Sequence, residues 1–175
     1  MESGSGLFEE ALEWLHKNYA SYRFYAERDL VWTVQTRLNS MIAQMGLPLQ
    51  VFHGYPILPG KKQSLGADLA IVDSNGKVEL TAEFKYEPSH GRTDILKTKF
   101  PVVAWGKGGV GHDVERVQQI VRAGRAGVAY SVFVDEGGCF HRSKRPHPGS
   151  EWRDWGNGVW VLWSRVAKGE LGMAQ

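Results

Sequence analysis

The chain has 175 residues, of which 42% are hydrophobic and 23% charged, with a formal net charge of +2. That length suits one compact domain over 1–175 with a single core, and the composition is that of an ordinary globular protein; it excludes a disordered acidic or strongly basic chain. The single cysteine, Cys139, excludes an internal disulfide and a cysteine-based zinc site, and no apolar run is long enough for a signal peptide or a membrane span, so a cytoplasmic protein without a membrane partner is expected.

Residues 1–6 are small and polar and are expected to be a disordered end. Leu7, Phe8, Ala11, Leu12, Leu15 and Tyr19 recur at helical spacing and predict a first helix over 7–19. Ser21 is placed to cap a second helix that starts near Tyr22 or Ala26 and runs to Gln44, with Val31, Val34, Leu38 and Met41 or Ile42 as its apolar stripe; Gly46 and Pro48 end it. One turn back along that stripe stands Glu27, which also suits a helix N-terminus on dipole grounds alone. Residues 49–58 read as a strand, and Pro59, Gly60, Lys61 and Lys62 as a basic loop. Two strands joined by a tight turn follow over 66–88. A polar connection over 89–98 carries Arg92 and Lys97, with Lys99 beside it; 100–105 reads as a short strand or extended segment before the glycine-rich 106–111. Asp113 is placed to cap a helix to Ala123, and the apolar run 128–134 reads as a buried strand. Residues 139–155 read as an irregular loop holding Arg142, Lys144 and Arg145, and 159–166 as a last strand. The expected fold class is α/β, a mixed central sheet flanked by helices in the order α-α-β-β-β-α-β-β.

The hairpin over 66–88 carries the chemistry. Asn75-Gly76 is the sequence of a type I′ turn, because both central residues need positive φ. With those two residues as the loop, Ser74 faces Lys77, and Asp68 faces Glu83 with Cβ atoms roughly 5 Å apart. Lys85 shares the face of Glu83, since side chains alternate along a strand. Two facing carboxylates repel unless a cation lies between them. With the Phe84 carbonyl they offer hard oxygen ligands suited to Mg²⁺ or Mn²⁺. Such an ion acidifies water and neutralises charge on a phosphate, and Lys85 orients the water or stabilises the transition state as a point charge. The opposing reading is a half-exposed strand, since Glu79, Thr81, Glu83 and Lys85 alternate with Val78, Leu80, Ala82 and Phe84. Asp68 argues against it, because it interrupts an apolar run. A one-residue slip in register would separate the three groups, so the site depends on the turn.

An acid on one strand, Glu-x-Lys on the next and a further Glu on a preceding helix resemble the PD-(D/E)XK nuclease superfamily, the restriction-endonuclease-like fold. The resemblance covers roughly 26–134, with Ala67 where a Pro often precedes the first acid. It implies that Asp68, Glu83 and the Phe84 carbonyl bind the metal, that Glu27 joins directly or through water, and that Lys85 assists the attacking water. Gln118, on the helix after the hairpin, matches a Gln that some members add to the site, though it equally suits a solvated helix face. The function implied is metal-dependent hydrolysis of phosphodiester bonds in nucleic acid, DNA first, with a homodimer compatible with the chain's small size. The rivals are a non-catalytic nucleic-acid-binding or protein-interaction module on the same fold, and a plain α/β domain without a site.

The remaining motifs are weaker. The 106–111 glycines precede a helix, but His112 and Asp113 stand where a phosphate-binding loop needs Lys and Ser or Thr, so a flexible loop near the substrate is expected instead. The histidines are scattered, and no Gly-x-Ser-x-Gly occurs. The loop residues Lys61, Lys62, Arg92, Lys97, Lys99, Arg142, Lys144 and Arg145 are candidates to grip phosphates without reading sequence, and Trp152 and Trp155 to stack on bases; solvated loops and packed tryptophans are the plainer alternatives.

Overall fold

The computed structural model describes residues 3–58 and 65–170. Among them, four α-helices flank one mixed six-stranded sheet. The helices are α1 (Gly4–Asn18), α2 (Glu27–Met45), α3 (Val110–Arg122) and α4 (Cys139–Ser143). The strands are β1 (Leu49–Leu58), β2 (Leu65–Asp73), β3 (Val78–Glu87), β4 (Val128–Glu136), β5 (Ser150–Asp154) and β6 (Val159–Ala167). Spatial order is β1-β2-β3-β4-β6-β5, and only the β3–β4 pair is parallel. A parallel pair needs a long crossover, which α3 supplies.

Helices α1 and α2 cover one face, where Leu7, Phe8, Leu30 and Leu38 pack on Leu69, Leu80 and Phe84. Helix α3 covers the other, setting Val117, Ile120 and Val121 against Ala70 and Ala129. Strand β4 therefore has helices over both faces, which explains its unbroken apolar run. No helix among the described residues is long and apolar enough to cross a membrane.

Several local expectations are corrected. The chain is ordered well before residue 7: Ser3 caps α1, its hydroxyl accepting from Gly6 N, and Gly4 is buried within the helix. Ala26, not Ser21, precedes α2, and the Asp29 carboxylate caps it by accepting from the backbone N–H groups of Tyr25 and Ala26. Asp113 lies inside the first turn of α3 rather than ahead of it, because Gly109 holds the N-cap position. Residues 100–105 form no strand. The expected loop over 139–155 contains α4 and β5 instead. Helix α4 exists because the buried Asp135 carboxylate accepts from Cys139 N and His141 N; β5 is an edge strand whose residues Ser-Glu-Trp-Arg-Asp give little apolar alternation to read.

The central hairpin is not closed by a two-residue turn. Asp73 N donates to Lys77 O and Gly76 N to Asp73 O, so the loop is Ser74-Asn75-Gly76. Gly76 takes the left-handed conformation at φ 78°, while Asn75 does not. The Asp73 carboxylate selects this wider turn by accepting from Asn75 N and Lys77 N. A three-residue loop shifts the register by one, and Val72 accordingly pairs with Val78. A bulge on β3 at Glu79 then shifts it back, so that Ile71 pairs with Leu80 and Leu69 with Ala82. The bulged Glu79 turns its carboxylate to the start of α1 and accepts from Gly4 N at 2.9 Å.

The glycine-rich segment before α3 is open at Gly106 and Gly108 and tightly packed at Gly109. A Cβ on Gly109 would lie 1.8 Å from the Ala104 carbonyl oxygen, whereas one on Gly106 would meet nothing within 4 Å. Gly109→Ala is therefore expected to destabilise the protein by about 1–3 kcal/mol, and Gly106→Ala to stay within about 0.5 kcal/mol of wild type. Urea denaturation of the two variants checks this; equal stability would contradict the packing described.

Candidate functional site

The β2–β3 ladder ends at Leu69 and Ala82. One residue further on, the strands part and a side chain replaces the backbone acceptor: Asp68 Oδ2 accepts from Phe84 N at 2.8 Å. The register of the last pair sets Asp68 against Glu83. Phe84 is buried in the core under α1 and α2, so Glu83 and Lys85, on either side of it, face α3.

Helix α3 meets them with two side chains one turn apart. Asp113 Oδ2 lies 3.0 Å from Lys85 Nζ, and Arg116 Nε lies 3.4 Å from Glu83 Oε1. Arg116 also donates to the Gly66 carbonyl on β2, which fixes the helix to the start of that strand. From the other layer Glu27, the first residue of α2, brings Oε2 to 3.1 Å from Lys85 Nζ. Lys85 also donates to the Phe84 carbonyl at 2.9 Å. Four acids from α2, β2, β3 and α3 thus surround one lysine.

Burial sets the charges. Glu83 is only 2% exposed, and desolvation, reinforced by the Asp68 charge and opposed by Arg116, pushes its carboxyl up to about 9. Burial likewise raises Glu27 and Asp113, each offset by Lys85. For Lys85, burial disfavours the ammonium, but Asp113 and Glu27 outweigh it and its pKa rises. Lys85 therefore stays charged at neutral pH and serves as a hydrogen-bond donor and point charge, not as a base.

The contacts across α3 are close but misaligned as hydrogen bonds. Glu83 Oε1, Asp113 Oδ2 and Arg116 Nε are buried without a hydrogen-bond partner. Both oxygens lie in ion pairs with Lys85 and Arg116, and it is the chemistry of the set, carboxylate and carbonyl oxygens only, that would fit a hard divalent cation. Among the described residues, no three His, Cys, Asp or Glu side chains stand in a ready-made metal-gripping arrangement. Lys85 and Arg116 occupy the positions of positive charge between the acids.

The other expected site residues are placed as follows. Gln118 faces away from the cluster and its Oε1 accepts from Arg122; the α3 residues that reach the site are Asp113 and Arg116. The spacing of Asp113 to Arg116 on one helix face was open to inspection, but nothing in the sequence ties that face to β3. Lys61 and Lys62 lie outside the described residues. Arg92 is a structural tie rather than a free cation: it pairs with Asp94 at 2.7 Å, Glu136 at 3.4 Å and the Phe24 carbonyl at 2.8 Å. Arg142 donates to the Gly137 carbonyl, while Lys97, Lys99, Lys144 and Arg145 are exposed. Trp152 stacks on Trp105 and Trp155 on His16, so both rings are engaged within the protein.

Glu83 gives a pH signature in metal-free protein. Its folded pKa is raised above the ordinary value, so the folded state keeps a proton that the unfolded state releases above about pH 4.5. Stability from this group is complete below that pH and declines as pH rises to about 9. In EDTA, Glu83→Gln should flatten the fall in thermal midpoint over this window; an unchanged slope would contradict the buried, protonated carboxyl. The chain stands apart in comparison: no protein-family model, curated protein or solved structure matches it.

Proposed function

We propose that the chain is a metal-dependent nuclease that hydrolyses phosphodiester bonds of nucleic acid, with DNA the first substrate to test, on a restriction-endonuclease-like fold. The observation that carries this reading is the gathering of Asp68, Glu83, Glu27 and Asp113 around Lys85, which Glu27 and Asp113 contact directly, with Glu83 buried beside Asp68 and Arg116. The order of helix, three antiparallel strands, crossover helix and parallel strand supports the fold assignment.

In this reading Asp68, Glu83 and the Phe84 carbonyl hold Mg²⁺ or Mn²⁺, with Glu27 and Asp113 as nearby partners. The ion supplies acidified water and neutralises charge on the phosphate. The chain's own groups do the rest. Lys85 donates to the attacking water or to a non-bridging phosphate oxygen, and Asp113 and Glu27 hold its ammonium in place. Arg116 balances Glu83 from α3. Water attacks phosphorus in line and the 3′ oxygen leaves. Cutting both strands of a duplex would call for two copies of the chain.

With Mn²⁺ or Mg²⁺, wild type should nick plasmid or shorten labelled single strands, and EDTA should stop it. Asp68→Ala and Lys85→Ala are expected to lose about 10²-fold or more in rate. Asp113→Asn, which acts through Lys85, should lose about 10- to 100-fold. Absence of cleavage by wild type, or equal cleavage by Asp68→Ala and Lys85→Ala, sinks the enzyme reading; binding without cleavage would point to the non-catalytic module.

A further inference from the structure

We infer that the outer face of α2 is a docking groove for unpaired nucleic acid. The inference rests on the nuclease reading for its purpose, but its physical basis is separate. A groove of about 670 Å³ runs between α2, the 22–25 segment and Trp14. On α2 its wall is Trp32, Thr33, Thr36, Arg37 and Ser40, a spacing that keeps to one side of a helix. From Asp29 to Ser40 that wall extends roughly 16 Å at the helical rise of 1.5 Å per residue.

The groove concentrates exposed aromatic surface. Of the seven large hydrophobic side chains exposed among the described residues, Tyr22, Tyr25 and Trp32 are here, and Trp32 is 54% exposed. A tryptophan standing in water from the middle of a helix contributes nothing to the core. Arginines alternate with the rings. Arg28 lies 6.0 Å from the Trp32 ring, Arg37 lies 5.3 Å over Trp14, and Arg23 lines the groove beside Tyr22.

Acids are few. Asp29 is the only one lining the groove among the described residues, and its carboxylate already caps α2. Arg23 pairs with Asp94 and Arg37 with Glu10, both partners outside the groove lining. Arg23 is 72% exposed, and a pair held from so exposed an end is weak and exchanges readily for phosphate; Arg37 is the more covered of the two.

Trp32 and Tyr25, each about half exposed and each beside an arginine, suit a strand whose bases are splayed out: each base offers a face to stack on and each linkage a negative charge. A duplex keeps its base faces stacked inside and offers this surface only phosphates. A partner-protein helix would call for a continuous apolar strip, which the arginines and threonines interrupt. The groove lies on the side of α2 turned away from the sheet, while Glu27 points with the buried stripe towards Lys85, so the groove is a surface separate from the acid–lysine cluster.

The test is fluorescence anisotropy with the full chain in EDTA, using labelled single-stranded DNA, single-stranded RNA and blunt duplex of one sequence. Single strands should bind at least about tenfold more tightly than duplex. Trp32→Ala and Tyr25→Ala should each weaken single-strand binding by about 5- to 100-fold, with Trp32→Phe recovering most of it and thermal midpoints unchanged. The DNA and RNA arms show which backbone is preferred. Wild-type binding to duplex as tight as to single strands, binding unaffected by both substitutions, or no binding at all would each overturn the groove. Binding without metal is scored apart from cleavage. A chain that binds through Trp32 and never cuts loses the nuclease reading alone, and one that cuts with Trp32→Ala binding as wild type loses the groove alone.

Discussion

The Lys85 ammonium is the contact on which the arrangement depends. It stands on β3 and is gripped by Glu27 from one helical layer and Asp113 from the other. Two like charges at 4 Å repel by about 4 kcal/mol at the effective dielectric near a protein surface. Four carboxylates gathered without a cation would push α2, α3 and the two strands apart. With all four ionised the cluster carries four negative charges against the positive charges of Lys85 and Arg116. Protonation of Glu83 narrows that difference, and a divalent cation would close it. The same excess of negative charge that strains the cluster is what the proposed divalent cation would relieve.

The facing of Asp68 and Glu83 is legible in the sequence, although the route to it is not. A two-residue Asn75-Gly76 loop gives the register in which Leu69 pairs with Ala82, and the ladder stops there, one pair short of Asp68 and Glu83. The chain reaches that register through two offsets that cancel, a three-residue loop and a bulge at Glu79. The wider loop comes from the Asp73 side chain, which satisfies two backbone donors and leaves Asn75 in an ordinary conformation. The bulge has no local signal, and the contact that uses it is to Gly4, 75 positions earlier. Helix positions and buried strands, by contrast, follow from periodicity, as the apolar stripe of α2 and the unbroken run of β4 show.

What the sequence hides is which helix face meets which strand. Gln118 fits a family pattern, yet the α3 side chains that turn to the sheet beside the cluster are Asp113 and Arg116. Gly109, pressed on the Ala104 carbonyl, fixes where α3 begins and so which of its residues come round to β3. Basic residues are similarly ambiguous when counted by loop. Arg92 looks like a phosphate grip in sequence and proves to be the tie between Asp94, Glu136 and Phe24. Arginines beside exposed aromatic rings gather instead at α2 and the segment before it, where the sequence shows an amphipathic helix and gives no hint that its polar side has a shape.

The bond between Glu79 and Gly4 spans 75 positions. Helix α1 is made first during synthesis, but the acceptor for its leading N–H group does not exist until the second arm of the hairpin has emerged. Contacts this distant in sequence form late, after loop closure has been overcome. The side chain that the bulge turns out of the ladder is thus satisfied only when the two ends of the first half of the chain meet, so the docking of α1 and the finished form of the hairpin belong to one late event.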